Sequence, residues 1–122
     1  MKKILFIEDE SALQRALTYV LDKEGFKTFS AMDGVEGLAI ARKELPDLVL
    51  LDLIVPKKDG FAVLTDLKEN KETSHIPVII LTNLEGSADV ERALTLGATA
   101  YLVKTNYKLE EVVEKIKNIL AQ

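Results

Sequence analysis

The sequence predicts an α/β protein in which helices cover both faces of a five-stranded parallel sheet. Five short apolar runs alternate with five amphipathic segments along the 122 residues, which gives a strand followed by a helix five times. Four of the runs are aliphatic or aromatic and lack polar alternation, a pattern typical of strands buried on both faces. No linker or low-complexity tract interrupts this order, so we expect a single domain over residues 1–122.

The first part of the chain predicts a strand, a helix and a second strand. The first strand is Ile4–Ile7. The next segment opens with Ser11-x-x-Gln14, which fits a capping box, and its helix closes at Gly25. The second strand, Thr28–Ala31, is less apolar than the others. An edge position in the sheet would explain that composition.

The remaining elements follow the same rule. Asp33-x-x-Glu36 is a helix-start signal, and Asp59 is the expected cap of the third helix. Ser87 precedes the apolar positions of the fourth helix, which ends at Gly97. The last three predicted strands are Leu48–Leu51, Val78–Leu81 and Ala100–Val103. The final helix has the cleanest apolar stripe, formed by Leu109, Val112, Val113, Ile116, Ile119 and Leu120.

The composition excludes several classes of function. The chain has no Cys and one His, which excludes disulfides, thiolate metal sites, a Cys nucleophile and His-rich metal clusters. Sixteen Lys+Arg against twenty Asp+Glu give a net charge of −4, so direct binding to nucleic acid is not expected. No apolar run approaches ~18 residues, so we expect no membrane insertion and a cytoplasmic location.

Polar residues stand where the predicted strands end. Right-handed crossovers bring the C-terminal ends of parallel strands to one edge of the sheet, where open α/β sheets bind ligands. The residues to inspect there are Glu8, Asp9, Glu10, Met32, Asp33, Asp52, Thr82, Asn83, Lys104 and Thr105.

Three of these acids are candidates for a metal site. Glu8 and Asp9 are equally well explained as acids near a helix N-terminus, and Asp52 as a loop cap. Three carboxylates at one sheet edge would repel one another unless a cation lay between them. Carboxylate oxygens suit Mg²⁺ better than Zn²⁺. We interpret Glu10 as a solvated acid.

Lys104 and Thr82 are candidates for binding an anion at the same edge. An ammonium group and a hydroxyl there could hold an anionic oxygen. The ordinary interpretations are a solvated lysine and a β-branched strand residue. We interpret Lys57 and Lys58 as a solvated turn, and His75 as incidental.

Taken together, these motifs resemble the receiver domains of two-component response regulators over essentially the whole chain. The resemblance implies a doubly wound, flavodoxin-like sheet with strand order 2-1-3-4-5, in a stand-alone, chemotaxis-regulator-like receiver domain without an output domain. The matching segments are Ile7-Glu8-Asp9-Glu10, Asp47-Leu48-Val49-Leu50-Leu51-Asp52, Val55-Pro56-Lys57-Lys58-Asp59-Gly60, Ile76-Pro77-Val78-Ile79-Ile80-Leu81-Thr82, Gly97-Ala98 and Tyr101-Leu102-Val103-Lys104.

The resemblance implies a phosphorylation-dependent signalling switch with Asp52 as the phosphoacceptor. The phosphoryl group would come from the phosphohistidine of a sensor histidine kinase, from a phosphotransfer protein or from a small phosphodonor. The reaction would require Mg²⁺, bound by Glu8, Asp9, Asp52 and the backbone carbonyl of Ile54. Such a chain is not an enzyme for a separate substrate, but it catalyses its own phosphorylation and dephosphorylation.

The resemblance also assigns the switch residues and the partners. Lys104 would bind a phosphoryl oxygen, Thr82 would be the switch hydroxyl and Tyr101 the rotating switch aromatic. Phosphorylation would change the surface that docks onto a downstream target protein. We expect a monomer or a weak, phosphorylation-dependent dimer.

The sequence disfavours two other functions and leaves a third as the runner-up. A phosphatase of the haloacid dehalogenase type needs a second Asp two residues after the nucleophile, where this chain has Ile54. A flavin binder needs a loop that cradles phosphate after the first strand, and Glu8-Asp9-Glu10 would repel phosphate. The runner-up is a non-phosphorylated interaction module of the same fold, because fold alone does not give function.

A few positions depart from the family pattern or extend it. Thr105 stands where the family usually has Pro, and a cis peptide before a non-proline residue costs about 3 kcal/mol, so the sequence leaves that bond open. Asn83 stands where a small residue is common and is expected to narrow access to Asp52. Ile54 and Leu84 are expected to flank the path of an attacking water, which predicts a long-lived phosphoaspartate.

Overall fold

The computed structural model describes all 122 residues and has the predicted alternation of five strands and five α-helices. A short 3₁₀ helix, Lys104–Asn106, follows the last strand. The strands are β1 (Lys3–Ile7), β2 (Lys27–Ala31), β3 (Leu48–Leu51), β4 (Val78–Thr82) and β5 (Ala100–Val103). The helices are α1 (Ser11–Lys23), α2 (Gly34–Glu44), α3 (Gly60–Glu69), α4 (Ser87–Thr95) and α5 (Leu109–Leu120).

The strands form one parallel sheet in the order β2-β1-β3-β4-β5, which confirms the predicted topology. β2 pairs only with β1, so its weaker apolar character belongs to an edge strand, as predicted. The prediction that β5 is buried on both faces was wrong. Ala100, Tyr101 and Val103 are only half-buried, because β5 forms the other edge of the sheet.

The sheet separates two apolar clusters. Leu5 and Ile7 of β1 belong to one cluster, with apolar residues of α2, α3 and α4. Ile4 and Phe6 belong to the other, with residues of α1 and α5. Successive side chains of a strand point to opposite faces, so one strand supplies both clusters. The helices therefore cover both faces and leave the two ends of the sheet for loops.

The predicted helix starts were correct where an Asp lies at the cap position. Asp33 accepts a hydrogen bond from the Glu36 amide at 2.8 Å, and Asp59 accepts one from the Ala62 amide at 3.1 Å. α4 begins at Ser87, as predicted, although the residue at its cap is Gly86. These bonds satisfy amides that the first turn of a helix leaves without a partner.

The predicted capping box at the start of α1 was wrong. Glu10 occupies the cap position, and no side chain caps this helix. The Gln14 amide nitrogen instead lies 3.1 Å from the Phe6 carbonyl, 3.2 Å from that of Glu8 and 3.0 Å from that of Ala31. Gln14 is buried, and buried carbonyl groups require donors, so its side chain serves the strand ends.

The two predicted helix ends at glycine are confirmed. Gly25 follows α1 with a φ of 91°, and Gly97 follows α4 with a φ of 109°. Residues with a side chain rarely adopt this left-handed region. No helix of the chain combines the length and apolar character needed to cross a bilayer.

Candidate functional site

The candidate site lies where β1, β3 and β5 end at the carboxyl edge of the sheet. Glu8 and Asp9 follow β1, and Asp52 follows β3. β1 and β3 are neighbours in register, so the residues that follow them meet. One carboxylate oxygen from each of the three residues lies within 4.8 Å of the other two. We call Glu8, Asp9 and Asp52 the acidic cluster.

Lys104 bridges this cluster and is not a solvated lysine. Its side chain is only 12% exposed, and its ammonium lies 2.7 Å from Glu8 Oε1 and 2.9 Å from Asp52 Oδ2. A third carboxylate oxygen, Oε1 of Glu10, lies 3.5 Å away on a largely exposed side chain. The ammonium therefore compensates the negative charge of two buried carboxylates at once.

Backbone amides orient the two buried carboxylates. The Glu10 amide donates to Glu8 Oε2 at 3.0 Å, and the Ile54 amide donates to Asp52 Oδ1 at 3.1 Å. Asp52 thus has one oxygen bound to the loop that follows it and the other to Lys104. No backbone amide donates to the Ile54 carbonyl oxygen. That carbonyl therefore remains available as a ligand.

The electrostatics differ between the acid and the base. Burial raises the pKa of Glu8 to about 6, and the Asp52 charge adds to this, whereas Lys104 and the Glu10 amide oppose it. Burial alone would lower the pKa of Lys104, but the hydrogen bonds to Glu8 and Asp52 raise it above its ordinary value. Lys104 therefore stays charged at neutral pH, and Glu8 accepts a proton more readily than an ordinary glutamate.

The donor set fits a hard divalent cation. All candidate ligands are oxygens, and a cavity of about 210 Å³ beside them is lined by the acidic cluster together with Glu10, Ile54, Asn83 and Lys104. Glu8 is wholly buried, and the Lys104 ammonium lies 2.7 Å from its Oε1. This oxygen therefore needs a positively charged neighbour, which an ion in the cavity would also provide. Mg²⁺ prefers a few carboxylates and retained waters, so these residues fit it.

The structure places the two predicted switch residues beside the cavity rather than in its wall. Thr82 is wholly buried at the end of β4, and the Leu84 amide lies 3.5 Å from its hydroxyl. The Tyr101 hydroxyl donates to the Leu84 carbonyl at 2.9 Å. Burial raises the pKa of Tyr101, and the charges of nearby Asp89 and Asp52 add to this. Thr82 and Tyr101 thus share one loop residue as a partner.

The two residues expected to flank an attacking water behave differently. Ile54 lines the cavity and is 57% exposed. The expectation for Leu84 was wrong, because Leu84 packs against the apolar cluster beneath α2, α3 and α4 and does not line the cavity. Burying an apolar side chain is favourable, and the loop turns it inward. Asn83, expected to narrow access to Asp52, does line the cavity.

The Lys104–Thr105 peptide bond, which the sequence leaves open, is trans, since the chain has no cis peptide bonds.

Lys57 and Lys58, interpreted as a solvated turn, are ion-paired. The Lys57 ammonium lies 3.6 Å from Asp33 Oδ2, and that of Lys58 lies 2.5 Å from Asp66 Oδ2. No local sequence signal links Lys57 with Asp33, because their pairing depends on how α2 packs.

Comparison with known proteins relates this chain to the receiver domains of response regulators. The family model described as response regulator receiver domain matches residues 4–117. Protein PilH of Pseudomonas aeruginosa is 36% identical over 121 residues, which cover 99% of each chain. Response regulator PleD of Caulobacter vibrioides is 41% identical over 102 residues, which are 84% of this chain and 22% of PleD. The chain therefore spans only about a fifth of the length of PleD.

A solved structure is similar over nearly the whole chain. The Mn²⁺-bound form of response regulator Rcp1 superposes with a TM-score of 0.83 and is 32% identical in sequence. The match covers 98% of this chain and 91% of Rcp1. The arrangement of strands and helices is thus shared with a metal-bound relative.

Proposed function

This chain belongs to the response regulator receiver domain family, and we propose that it is a phosphorylation-dependent switch with Asp52 as its phosphoacceptor. Family membership implies phosphorylation-based signalling with histidine kinases or phosphotransfer proteins and with downstream targets. The observation that carries the assignment is the state of the Asp52 carboxylate. It is buried, oriented at both oxygens, and opens onto the cavity beside the acidic cluster.

The chemistry follows from this geometry. An Asp52 oxygen attacks the phosphorus atom, an acyl phosphate forms, and the bond to the donor breaks with its electron pair leaving on the donor atom. That donor atom is the imidazole nitrogen of a phosphohistidine or an oxygen of a small acyl phosphate. Phosphoryl transfer depends on positioning the nucleophile and on neutralising the equatorial oxygens. The nucleophile and the groups suited to neutralise the phosphoryl oxygens all lie at the carboxyl edge of the sheet.

Three groups of this chain are suited to that neutralisation. Lys104 pairs with Asp52 before transfer and then binds a phosphoryl oxygen, so its charge stays in the same place. Glu8, Asp9, Asp52 and the Ile54 carbonyl would hold Mg²⁺, whose positive charge stabilises the transferring group. The Thr82 hydroxyl has only a long contact with the Leu84 amide, so it is free to turn toward the phosphoryl group.

The output is a change of docking surface. When Thr82 turns toward the phosphate, the loop at Leu84 follows and the Tyr101 hydroxyl loses its present partner. The ring of Tyr101 then turns inward and changes the surface formed by α4, β5 and α5. The downstream target is a protein that recognises this altered surface.

Incubation with acetyl phosphate and Mg²⁺, followed by intact-mass measurement, tests the assignment. We expect the chain to gain one phosphoryl group, and Asp52→Ala and a sample treated with chelator to gain none. Asp66→Ala is the matched control, because it removes a carboxylate that pairs with Lys58 outside the acidic cluster.

Two results would contradict the proposal. One is a phosphoryl group that persists in Asp52→Ala, which would place the acceptor elsewhere. The other is no mass gain with Mg²⁺ and excess acetyl phosphate, which would leave the chain as a non-phosphorylated interaction module.

A further inference from the structure

The loop between β3 and α3 is held from outside by the first residue of α2. The Gly34 amide donates a hydrogen bond to the Pro56 carbonyl at 3.1 Å. A Cβ atom at Gly34 would lie 1.9 Å from the Lys58 carbonyl oxygen and 2.9 Å from the Lys58 Cβ. Only glycine permits this approach of two backbone segments. The start of α2 and the loop are therefore in direct backbone contact.

The segment that Gly34 touches has a strained conformation. Lys57 has a φ of 70°, in the region that residues with side chains rarely adopt. The Lys58 amide donates to the Pro56 carbonyl at 2.8 Å, which closes a tight γ-turn around Lys57. Strained turns persist only where the surrounding structure holds them. Gly34 and the ion pair from Asp33 to Lys57 supply that hold.

The same loop carries Ile54, whose carbonyl oxygen is the proposed backbone ligand of the cation. Ile54 lies two residues before the γ-turn, and its amide donates to Asp52 Oδ1. At the other end of the loop, the Gly60 amide donates to the Leu53 carbonyl at 2.9 Å. Only Val55 separates Ile54 from the γ-turn, so a displacement of the turn is transmitted to Ile54 along the backbone.

We propose that Gly34 is a positioning residue for the divalent cation, acting through the backbone of Pro56 and Lys58 on the carbonyl of Ile54. Gly34 touches none of the acidic cluster's carboxylates, and it acts only through the placement of the loop. The inference rests on the proposed function, since it takes Ile54 as a ligand. Mutation of a group that orients the ligands of a metal typically lowers metal affinity about 10- to 100-fold.

The test is a Mg²⁺ titration of the wild type and of Gly34→Ala. Calorimetry and NMR of the backbone amides monitor the titration. We expect Gly34→Ala to bind Mg²⁺ about tenfold more weakly, because its methyl group displaces the Lys58 carbonyl. We also expect faster amide hydrogen exchange at residues 54 and 58. Neither readout depends on phosphorylation.

Gly37→Ala is the matched control on the same helix. A Cβ at Gly37 would meet the end of the Ile7 side chain, with Cδ1 at 2.5 Å, and not the β3–α3 loop. We expect this variant to lose thermal stability while its affinity for Mg²⁺ equals that of the wild type. The comparison of the two variants therefore distinguishes a loss of stability caused by crowding from a loss of Mg²⁺ affinity caused by displacement of the loop.

A second variant keeps the test decisive if Gly34→Ala does not fold. Lys57→Ala introduces no clash and keeps the strained backbone, but it removes the ion pair to Asp33 that helps to hold the turn, so we expect weaker Mg²⁺ binding from it too. Wild-type affinity in the variants that fold would overturn the role of Gly34. A wild type that binds no Mg²⁺ would instead overturn the proposed metal site itself.

Discussion

At the scale of single residues, the acidic cluster depends on the Lys104 ammonium. Two carboxylates of the cluster are buried, and their mutual repulsion would oppose folding without a cation. Lys104 supplies that cation from the 3₁₀ helix that follows β5, and its hydrogen bonds with Glu8 and Asp52 keep it protonated. Lys104 does not fully offset the free-energy cost of burying the ionised Glu8 carboxylate, because the pKa of Glu8 remains above its ordinary value.

Glu8 gives a pH-dependent prediction. Its pKa rises from 4.5 to about 6 in the folded chain, so the folded chain binds this proton more tightly than the unfolded chain. The free energy of unfolding therefore falls as the pH rises from 4.5 through 6. We expect Glu8→Gln to be more stable than the wild type by about 2 kcal/mol at pH 7.5, and the difference to vanish near pH 4.

Thermal unfolding in chelator, measured at both pH values, checks this expectation. Glu10→Gln is the control, because it removes a neighbouring exposed acid but keeps Glu8, so its stability should match that of the wild type at both pH values. Equal stability of Glu8→Gln and wild type at pH 7.5 would mean that Lys104 fully compensates the buried charge.

Ile54 gives a prediction for the lifetime of the phosphorylated state. It lines the cavity and cannot hydrogen-bond a water molecule that attacks the phosphorus. We expect Ile54→Asn to shorten the lifetime of phosphorylated Asp52 about tenfold, because an amide would orient that water. The first-order decay of the phosphorylated mass measures this. Leu94→Asn, which changes an equally apolar, exposed residue on α4, should decay like the wild type. A wild type that decays as fast as Ile54→Asn would refute the idea.

The sequence was informative for residues that directly follow a strand. Glu8, Asp9, Asp52 and Lys104 were predicted to share one sheet edge, and they do, because strand pairing fixes where each strand ends. Leu84 was placed wrongly, since it lies two residues into a loop. There the direction of a side chain is decided by packing against other elements, which local sequence does not contain.

At the scale of elements, α4 is the least anchored helix. Ala93 is its only buried residue, and Leu94 is 47% exposed. The loop that leads into it is held by the hydrogen bond from the Tyr101 hydroxyl to the Leu84 carbonyl. Elements with few buried apolar contacts open at low free-energy cost. α4 is therefore the helix best suited to move.

Removal of the Tyr101 hydroxyl tests this tether. We expect Tyr101→Phe to lower stability by about 1 kcal/mol and to increase amide hydrogen exchange in residues 83–95. Tyr107→Phe, on a half-buried tyrosine whose hydroxyl has no such partner, is the control. Unchanged exchange in α4 of Tyr101→Phe would show that other contacts hold the loop.

Elements differ in how well the sequence predicts their ends. Asp33 and Asp59 begin α2 and α3 as predicted, because an Asp cap bonds to an amide only three residues away. The capping box at α1 failed, because Gln14 bonds to carbonyls of two different strands. Local signals are reliable where the competing partner is also local. The half-buried state of β5 likewise depends on sheet order, which a single strand does not encode.

At the scale of the whole molecule, the proposed switch predicts an uneven response. In the proposed switch, phosphorylation would shift the population between two packings that the unphosphorylated chain already samples. We expect backbone NMR shifts, on addition of acetyl phosphate and Mg²⁺, to extend from the Asp52 loop to α4, β5 and the start of α5. The cluster around Leu17 and Leu21, beneath α1, should change little. Shifts confined to the Asp52 loop would rule out this route for the signal.

The contacts of Lys104 with Glu8 and Asp52 also affect how the folded chain behaves when Mg²⁺ is scarce. An internal counter-ion lets the acidic cluster persist in the folded chain without Mg²⁺, so folding does not wait for the ion. We expect a chain deprived of Mg²⁺ to lose its phosphorylation while it stays folded and keeps its resistance to proteases. Its abundance in the cell would then be independent of magnesium supply. Signalling could resume as soon as the ion returned, without new protein synthesis.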